Sequence, residues 1–180
     1  MNQPPSINPK SVPDSTLQSI FDIVSAHMRK QAHQCKRTVG GNGSYCAYRG
    51  EGGTACAIGC LIPDEYYDAR MEGADIRKAV AVNEDPHVHD EPDLMQSTAF
   101  MDTLDQLFGE GWEYTKIFSL LDQLQFIHDS SSTVDNWDVK LNLLAKSFNL
   151  DVTKQQPQTL DASKRVGPAR RNPANGQLST

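Results

Sequence analysis

The stretch Tyr45–Gly73, reading YCAYRGEGGTACAIGCLIPDEYYDARMEG, constrains this chain more than any other. It holds three of the four cysteines, a glycine-rich turn, and an apolar run cut short by Pro63-Asp64-Glu65. Everything after it reads as amphipathic helix or as tail. Within it, Ser44–Arg49 follows a turn cluster and carries Tyr45 and Tyr48, so it reads as a strand. Gly50–Gly53 is a tight turn. Thr54–Ile62 admits two readings. As a strand it closes a hairpin on Tyr45–Arg49. A two- or four-residue turn then sets Arg49 opposite Thr54, with Cys46 and Cys56 on opposite faces; a three-residue turn puts both thiols on one face. As a helix it is capped by Thr54, and Cys56 and Cys60 fall at i and i+4. The small residues Ala55, Ala57 and Gly59 favour close helix packing, and we take the helix.

The flanks follow a helical period. Leu17, Ile20, Phe21, Val24 and Met28 form one stripe, opened by a Ser15–Gln18 capping box and ended before Gly40-Gly41-Asn42-Gly43. Pro63 to about Arg70 reads as a short helical turn, with Pro in its first position and acids at its start. Ala74–Val82 is open between strand and helix, and Asn83–Asp93 is an acidic loop pinned by Pro86 and Pro92. Three helices follow. Ser97–Phe108 is stopped by Gly109 and Gly111. Glu113–His128 buries Tyr114, Ile117, Phe118, Leu121 and Leu124. The last, capped by Ser132 or Thr133, carries the seam Val134, Trp137, Leu141, Leu144 and Phe148 used in helix pairing. The expected fold is α+β: one predominantly helical domain over residues 14–150 with a small β-hairpin or strand element.

The ends differ from this body. Residues 1–13 and 151–180 are rich in Pro, Gln, Asn and Ser and poor in large apolar residues, so both read as disordered tails. The C-terminal tail sets Lys154, Lys164, Arg165, Arg170 and Arg171 against Asp151 and Asp161, and the N-terminal one adds Lys10. With −6 on the whole chain, that leaves −10 on residues 14–150. An acidic body repels phosphate, so nucleic acid is not expected as a partner except through the basic tail. No apolar leader and no apolar run of membrane-spanning length is present, which points to the cytoplasm, with cysteines kept as thiols or metal ligands.

Several groups can carry chemistry. Cys46, Cys56 and Cys60, with Cys35 or a histidine, make a candidate zinc site, though the spacing lacks a Cys-x-x-Cys knuckle. Free cysteine is otherwise a core residue, and we take packing as the first reading and zinc as the alternative. A catalytic thiol would need a base, with His87, His89 and His128 as candidates. His87 and His89, if extended, project to one side among Asp85, Asp90, Glu91 and Asp93, a second metal alternative; a solvated acidic loop explains the same residues. The glycine turns with Arg49 could present N–H groups to a nucleotide phosphate. Tyr48, Arg49, Asp64, Glu65, Tyr66 and Glu72 concentrate polar and aromatic groups at the margins of the apolar run, and are the expected binding site. The competing reading is that Arg49 pairs with Glu65 or Glu72 merely to fasten the segment.

Cys46-Ala47-Tyr48-Arg49-Gly50, Cys56-Ala57-Ile58-Gly59-Cys60-Leu61-Ile62-Pro63-Asp64-Glu65-Tyr66 and Met71-Glu72-Gly73 together resemble a set of short uncharacterised proteins from phages and bacterial mobile elements. The resemblance covers about thirty residues and the amphipathic helix before them, and excludes both tails. It implies no activity, cofactor or catalytic residue. It implies a setting: an accessory protein inside a bacterial cell, engaged in host takeover or counter-defence. The expected function is therefore a non-enzymatic protein that inhibits or sequesters a host protein, with a homodimer through the last helix as a further expectation. The alternatives are a small metal- or thiol-dependent enzyme and a binder of a small nucleotide.

Overall fold

The computed structural model describes residues 14–39, 43–85, 90–130 and 134–152. Helix α1 (Asp14–Gln31) buries Leu17, Ile20, Phe21, Val24 and Met28, each at most 4% exposed, as the period requires. Gln18, the expected partner of Ser15 in a capping box, reaches along α1 and to the far end of the body. Its amide bonds Asp22 at 2.8 Å and exchanges hydrogen bonds with the Asp151 backbone at 2.9 and 2.8 Å, tying the far end of the body to the first helix. The Ser15 side chain lies outside the described residues. α1 ends at Ala32, whose φ of 62° breaks the helical path.

The β element is a two-stranded antiparallel sheet, β1 (Lys36–Val39) with β2 (Gly43–Cys46), in which Lys36 lies opposite Cys46 and Arg37 opposite Tyr45. β2 therefore pairs with the strand before it, and not with Thr54–Ile62 as the alternative hairpin reading would have it. Thr54–Ile62 is neither helix nor ladder strand. One bridge joins Arg49 to Ala55, a single helical turn bonds Cys60 N–H to Cys56 C=O at 3.1 Å, and a 3₁₀ turn spans Gly59–Leu61. Two constraints keep the helix from growing. A Cβ at Gly59 would lie 2.1 Å from the Tyr48 carbonyl oxygen, so backbone packs directly on backbone there. Ile62 precedes Pro63, whose ring disfavours the helical region, and it sits at φ −89°, ψ 114°. The segment is nonetheless central: Cys56, Ala57 and Ile58 are at most 1% exposed, and its 3₁₀ turn packs on α1.

The expected helical turn after Pro63 is instead a pair of tight turns and a 3₁₀ turn, Ala69–Met71, capped by Asp68 accepting from the Arg70 N–H at 2.9 Å. Ala74–Val82, open in the sequence, contributes to helix α2 (Ile76–Glu84), whose N–H groups of Arg77 and Lys78 donate to Asp75. Helix α3 (Glu91–Phe108) starts well before Ser97, because Pro92 lies in its first turn and Asp90 accepts from the Asp93 N–H. Residues 91–93 are thus helix and not loop. Gly109, at φ 83°, ends it.

The region read as one helix from Glu113 divides into a 3₁₀ turn, Trp112–Tyr114, and helix α4 (Lys116–Ser130). Tyr114, expected in the core, is 71% exposed; Trp112 takes that place at 1%. Helix α5 (Val134–Ser147) buries Trp137, Leu141 and Leu144 against α1 and α4. Trp137, Leu141 and Leu144 of the expected pairing seam are therefore an internal contact. The Ser132 or Thr133 cap and the Val134 side chain lie outside the described residues. One apolar cluster runs from Leu17 to Ala145. The fold is predominantly helical α+β with a small sheet, as read from the sequence. Among the described residues no helix is long and apolar enough to cross a membrane.

Candidate functional site

The backbone N–H groups of Tyr48 and Arg49 fall beyond the end of the β-ladder and need acceptors. Glu72, 9% exposed, supplies both: Oε2 accepts from Tyr48 at 2.9 Å and Oε1 from Arg49 at 2.8 Å. The Tyr67 hydroxyl donates to the same carboxylate at 2.7 Å. A buried carboxylate is tolerable when donors surround it in this way. Burial, then the bond to Glu72, pushes the Tyr67 hydroxyl up to about 12, so it stays a donor. The Arg49 guanidinium donates to the carbonyls of Gly59 and Ile62, reaches Asp64 at 3.2 Å, and lies over the Tyr67 ring at 5.2 Å. The Tyr48 ring packs on Phe100 at 5.4 Å, and its hydroxyl donates to the Ala74 carbonyl at 2.6 Å.

Of the six expected binding residues, the structure therefore brings Tyr48, Arg49, Asp64 and Glu72 into one network. Its interior members are consumed by the fold. Asp64 is 99% exposed, so its ion pair contributes little. Glu65 is exposed, and Tyr66 is half-buried with its carbonyl accepting from Thr103. The fastening role of Arg49 holds in a different form: its charge meets Asp64, while Glu72 grips its main chain.

The thiols are similarly engaged. Cys35 Sγ accepts from the Thr54 hydroxyl at 3.5 Å, Cys56 Sγ from the Gly59 N–H at 3.2 Å, and Cys60 donates to the Ala57 carbonyl at 3.2 Å. Cys46 donates to Asp129. Burial pushes Cys35 and Cys56 up, and Cys46 and Cys60 up to about 12. Such thiols stay protonated at neutral pH and are poor nucleophiles. Cys56 and Cys60 do not join Cys46 in a donor set. Among the described residues the donor cluster is Cys46, His128 and Asp129, with ligand atoms within 4.8 Å of one another. His87 and His89 lie outside the described residues.

Hydrogen-bond polarity decides what that cluster is. His128, fully buried, faces Asp129 through Nδ1 at 2.7 Å and accepts the Cys35 backbone N–H on Nε2 at 3.1 Å. A backbone N–H can only donate, so Nε2 carries the lone pair and Nδ1 the proton. A metal at Nδ1 would call for the reverse tautomer, whose Nε2–H would face the Cys35 N–H. Asp129 is thus the shared acceptor of three neutral donors: His128 Nδ1–H, the Cys46 thiol, and Gln125 Nε2 at 2.8 Å. Burial opposes its charge, yet these bonds outweigh it and hold the carboxyl below its usual range. A carboxylate lies between thiol and imidazole, so His128 does not act as base toward Cys46.

Asp129 and Cys46 also line a cavity of about 280 Å³ beside β2. Its other polar group-bearing walls are Tyr45, Tyr48, Asp75 and Gln125, and none of its described lining residues is Lys, Arg or His. The sequence gives no local sign of it, because Asp75 caps α2 while Gln125 and Asp129 sit on α4. A second concavity, about 340 Å³, runs between α4 and α5. It is apolar: Ile127 and Leu144 line it with Phe126 and Leu143, which are 58% and 60% exposed. Lys140 lies over the Phe126 ring at 5.8 Å.

Comparison with protein-family models, with curated proteins and with solved structures finds no match to this chain.

Proposed function

We propose that this protein works by binding and not by chemistry, as an accessory protein of phage or mobile-element type that inhibits or sequesters a protein in the cytoplasm of a bacterial host. One observation carries the binding part: the residues best able to do chemistry are spent on internal hydrogen bonds. Arg49 and Glu72 fasten the central segment, and all four thiols have protein partners and raised pKa values. The setting rests on the resemblance of Cys46–Gly50, Cys56–Tyr66 and Met71–Gly73 to phage and mobile-element proteins. The −10 on residues 14–150 suits a partner with a basic surface. The exposed apolar side chains Phe126 and Leu143 supply a face for a host protein or a second copy. The thiol- and zinc-enzyme alternatives have less to draw on, since Cys46 faces a carboxylate. A nucleotide reading has less too, since Arg49 is committed to carbonyl oxygens.

The test is capture by the tagged full chain from bacterial lysate, scored together with the cellular effect of expressing it. Cys46→Ser and Cys60→Ser should leave both intact, and Leu143→Asp should abolish both. Loss of the cellular effect in Cys46→Ser, with the same partner still captured, would overturn the proposal in favour of thiol chemistry.

A further inference from the structure

Among the described residues, the walls of the cavity beside β2 carry two carboxylates and no cation. Asp129 stands in the last turn of α4 (Lys116–Ser130), at the end where the helix dipole already favours cations over anions. All three donors that hold its charge are neutral. Asp75 faces the same space from the start of α2, and the cations nearby stand outside the described lining: Lys36 lies opposite Cys46 across the sheet and Arg37 is bonded to Tyr45. Arg77, two residues on, is held away by a two-point contact with Asp122 at 2.6 and 2.7 Å. Asp75 Oδ1 accepts the Arg77 and Lys78 N–H groups at 2.9 and 3.0 Å, which leaves its second oxygen with acceptor capacity. Tyr45, Tyr48 and Ile76 are among the remaining walls and add apolar and aromatic surface suited to methylenes and to the face of a cation.

We propose that this cavity binds an ammonium group on a slim alkyl chain, presented by a free small amine or by a lysine side chain of a partner. The ammonium N–H groups donate to Asp75 and Asp129, and the chain lies along Tyr45 and Ile76. Anions are disfavoured, because a phosphate or carboxylate would meet two carboxylates on walls whose described residues include no cation. A zinc-like ion is disfavoured by the His128 tautomer fixed through Cys35. The acidic body adds long-range attraction for the cation. This goes beyond the capture of a host protein, and it is read on the purified chain alone, so either idea can fail without the other.

The probes are n-butylamine and N-acetyl-lysine methylamide, with n-butanol and butyrate as neutral and anionic controls, followed by amide shifts in the full-length protein. Both amines should give saturable shifts at Cys46, Gln125 and Asp129, and both controls should give none there. Asp75→Asn, which keeps the helix cap, should weaken amine binding about tenfold by removing one charge-assisted bond. Asp129→Asn should do the same where it folds. Tighter binding of the lysine derivative assigns the site to a partner's lysine, and tighter binding of butylamine assigns it to a free amine. Equal shifts from butanol and butylamine, or an Asp75→Asn protein that binds the amines as well as the parent, would overturn the proposal.

Discussion

Glu72 Oε1 accepts the backbone N–H of Arg49 at 2.8 Å, so the arginine that most looked like a ligand-binding residue is held by its main chain. Its guanidinium is occupied as well, by two carbonyls past the bridge to Ala55. A lysine has no fork to span both. Arg49→Lys should therefore lower unfolding stability by about 1–2 kcal/mol, measured by urea denaturation, while leaving the butylamine shifts unchanged.

Gly59 is demanded by closeness to a neighbouring backbone. Its Cβ position lies 2.1 Å from the Tyr48 carbonyl oxygen. Gly59→Ala should cost about 3 kcal/mol or more, since two main-chain segments must separate in a packed core. Gly52 is the contrast: open space surrounds it, and its φ of +67° is the sole obstacle to a side chain. Gly52→Ala should cost only about 1 kcal/mol. Thermal melts of the two variants side by side check the difference.

Cys46 is pushed up to about 12, first by burial and then by Asp129. It should react slowly with iodoacetamide at pH 8. Removing the carboxylate's charge in Asp129→Asn should speed alkylation about tenfold, one pKa unit's worth. Mass spectrometry of the Cys46 peptide reads the rate. An unchanged rate would place the control of Cys46 in burial alone.

Asp105 is raised to about 6, by burial first and then by Glu113, Glu110 and Asp102. The folded protein then takes up a proton near pH 6 that the unfolded chain accepts only near 3.8. Binding more protons when folded, it gains stability from this group as pH falls from 7 towards 5. Asp105→Asn should stabilise the protein at pH 7 by about 1 kcal/mol, allowing for partial exposure. The gap between variant and parent should narrow at pH 5 in urea titrations.

How much of this was legible beforehand depended on whether the information was local. The α1 stripe and the Trp137–Leu141–Leu144 seam were readable because helical period is written within one element. The fate of that seam was not, since only packing shows that α1 and α4 cover it. β1 has no local signal, because KRTV carries one large apolar residue and is a strand only through its pairing with β2. Thr54–Ile62 reads as a helix by propensity, which cannot register that the Tyr48 carbonyl lies against Gly59. The fastening of Arg49 is one of the two sequence readings, but the Glu72-to-backbone bonds that accomplish it leave no mark in composition. Asp75, Gln125 and Asp129 are unremarkable in sequence and meet only when α2 and α4 flank β2.

The fastening role of the Arg49–Glu72 margin, on which the binding reading turns, is tested most directly by urea denaturation of Glu72→Gln. Replacing the charged acceptor of three donors by an amide should lower stability by about 2–3 kcal/mol in a single cooperative transition. A midpoint equal to that of the parent would contradict the account and return Glu72 to the list of residues available for a ligand.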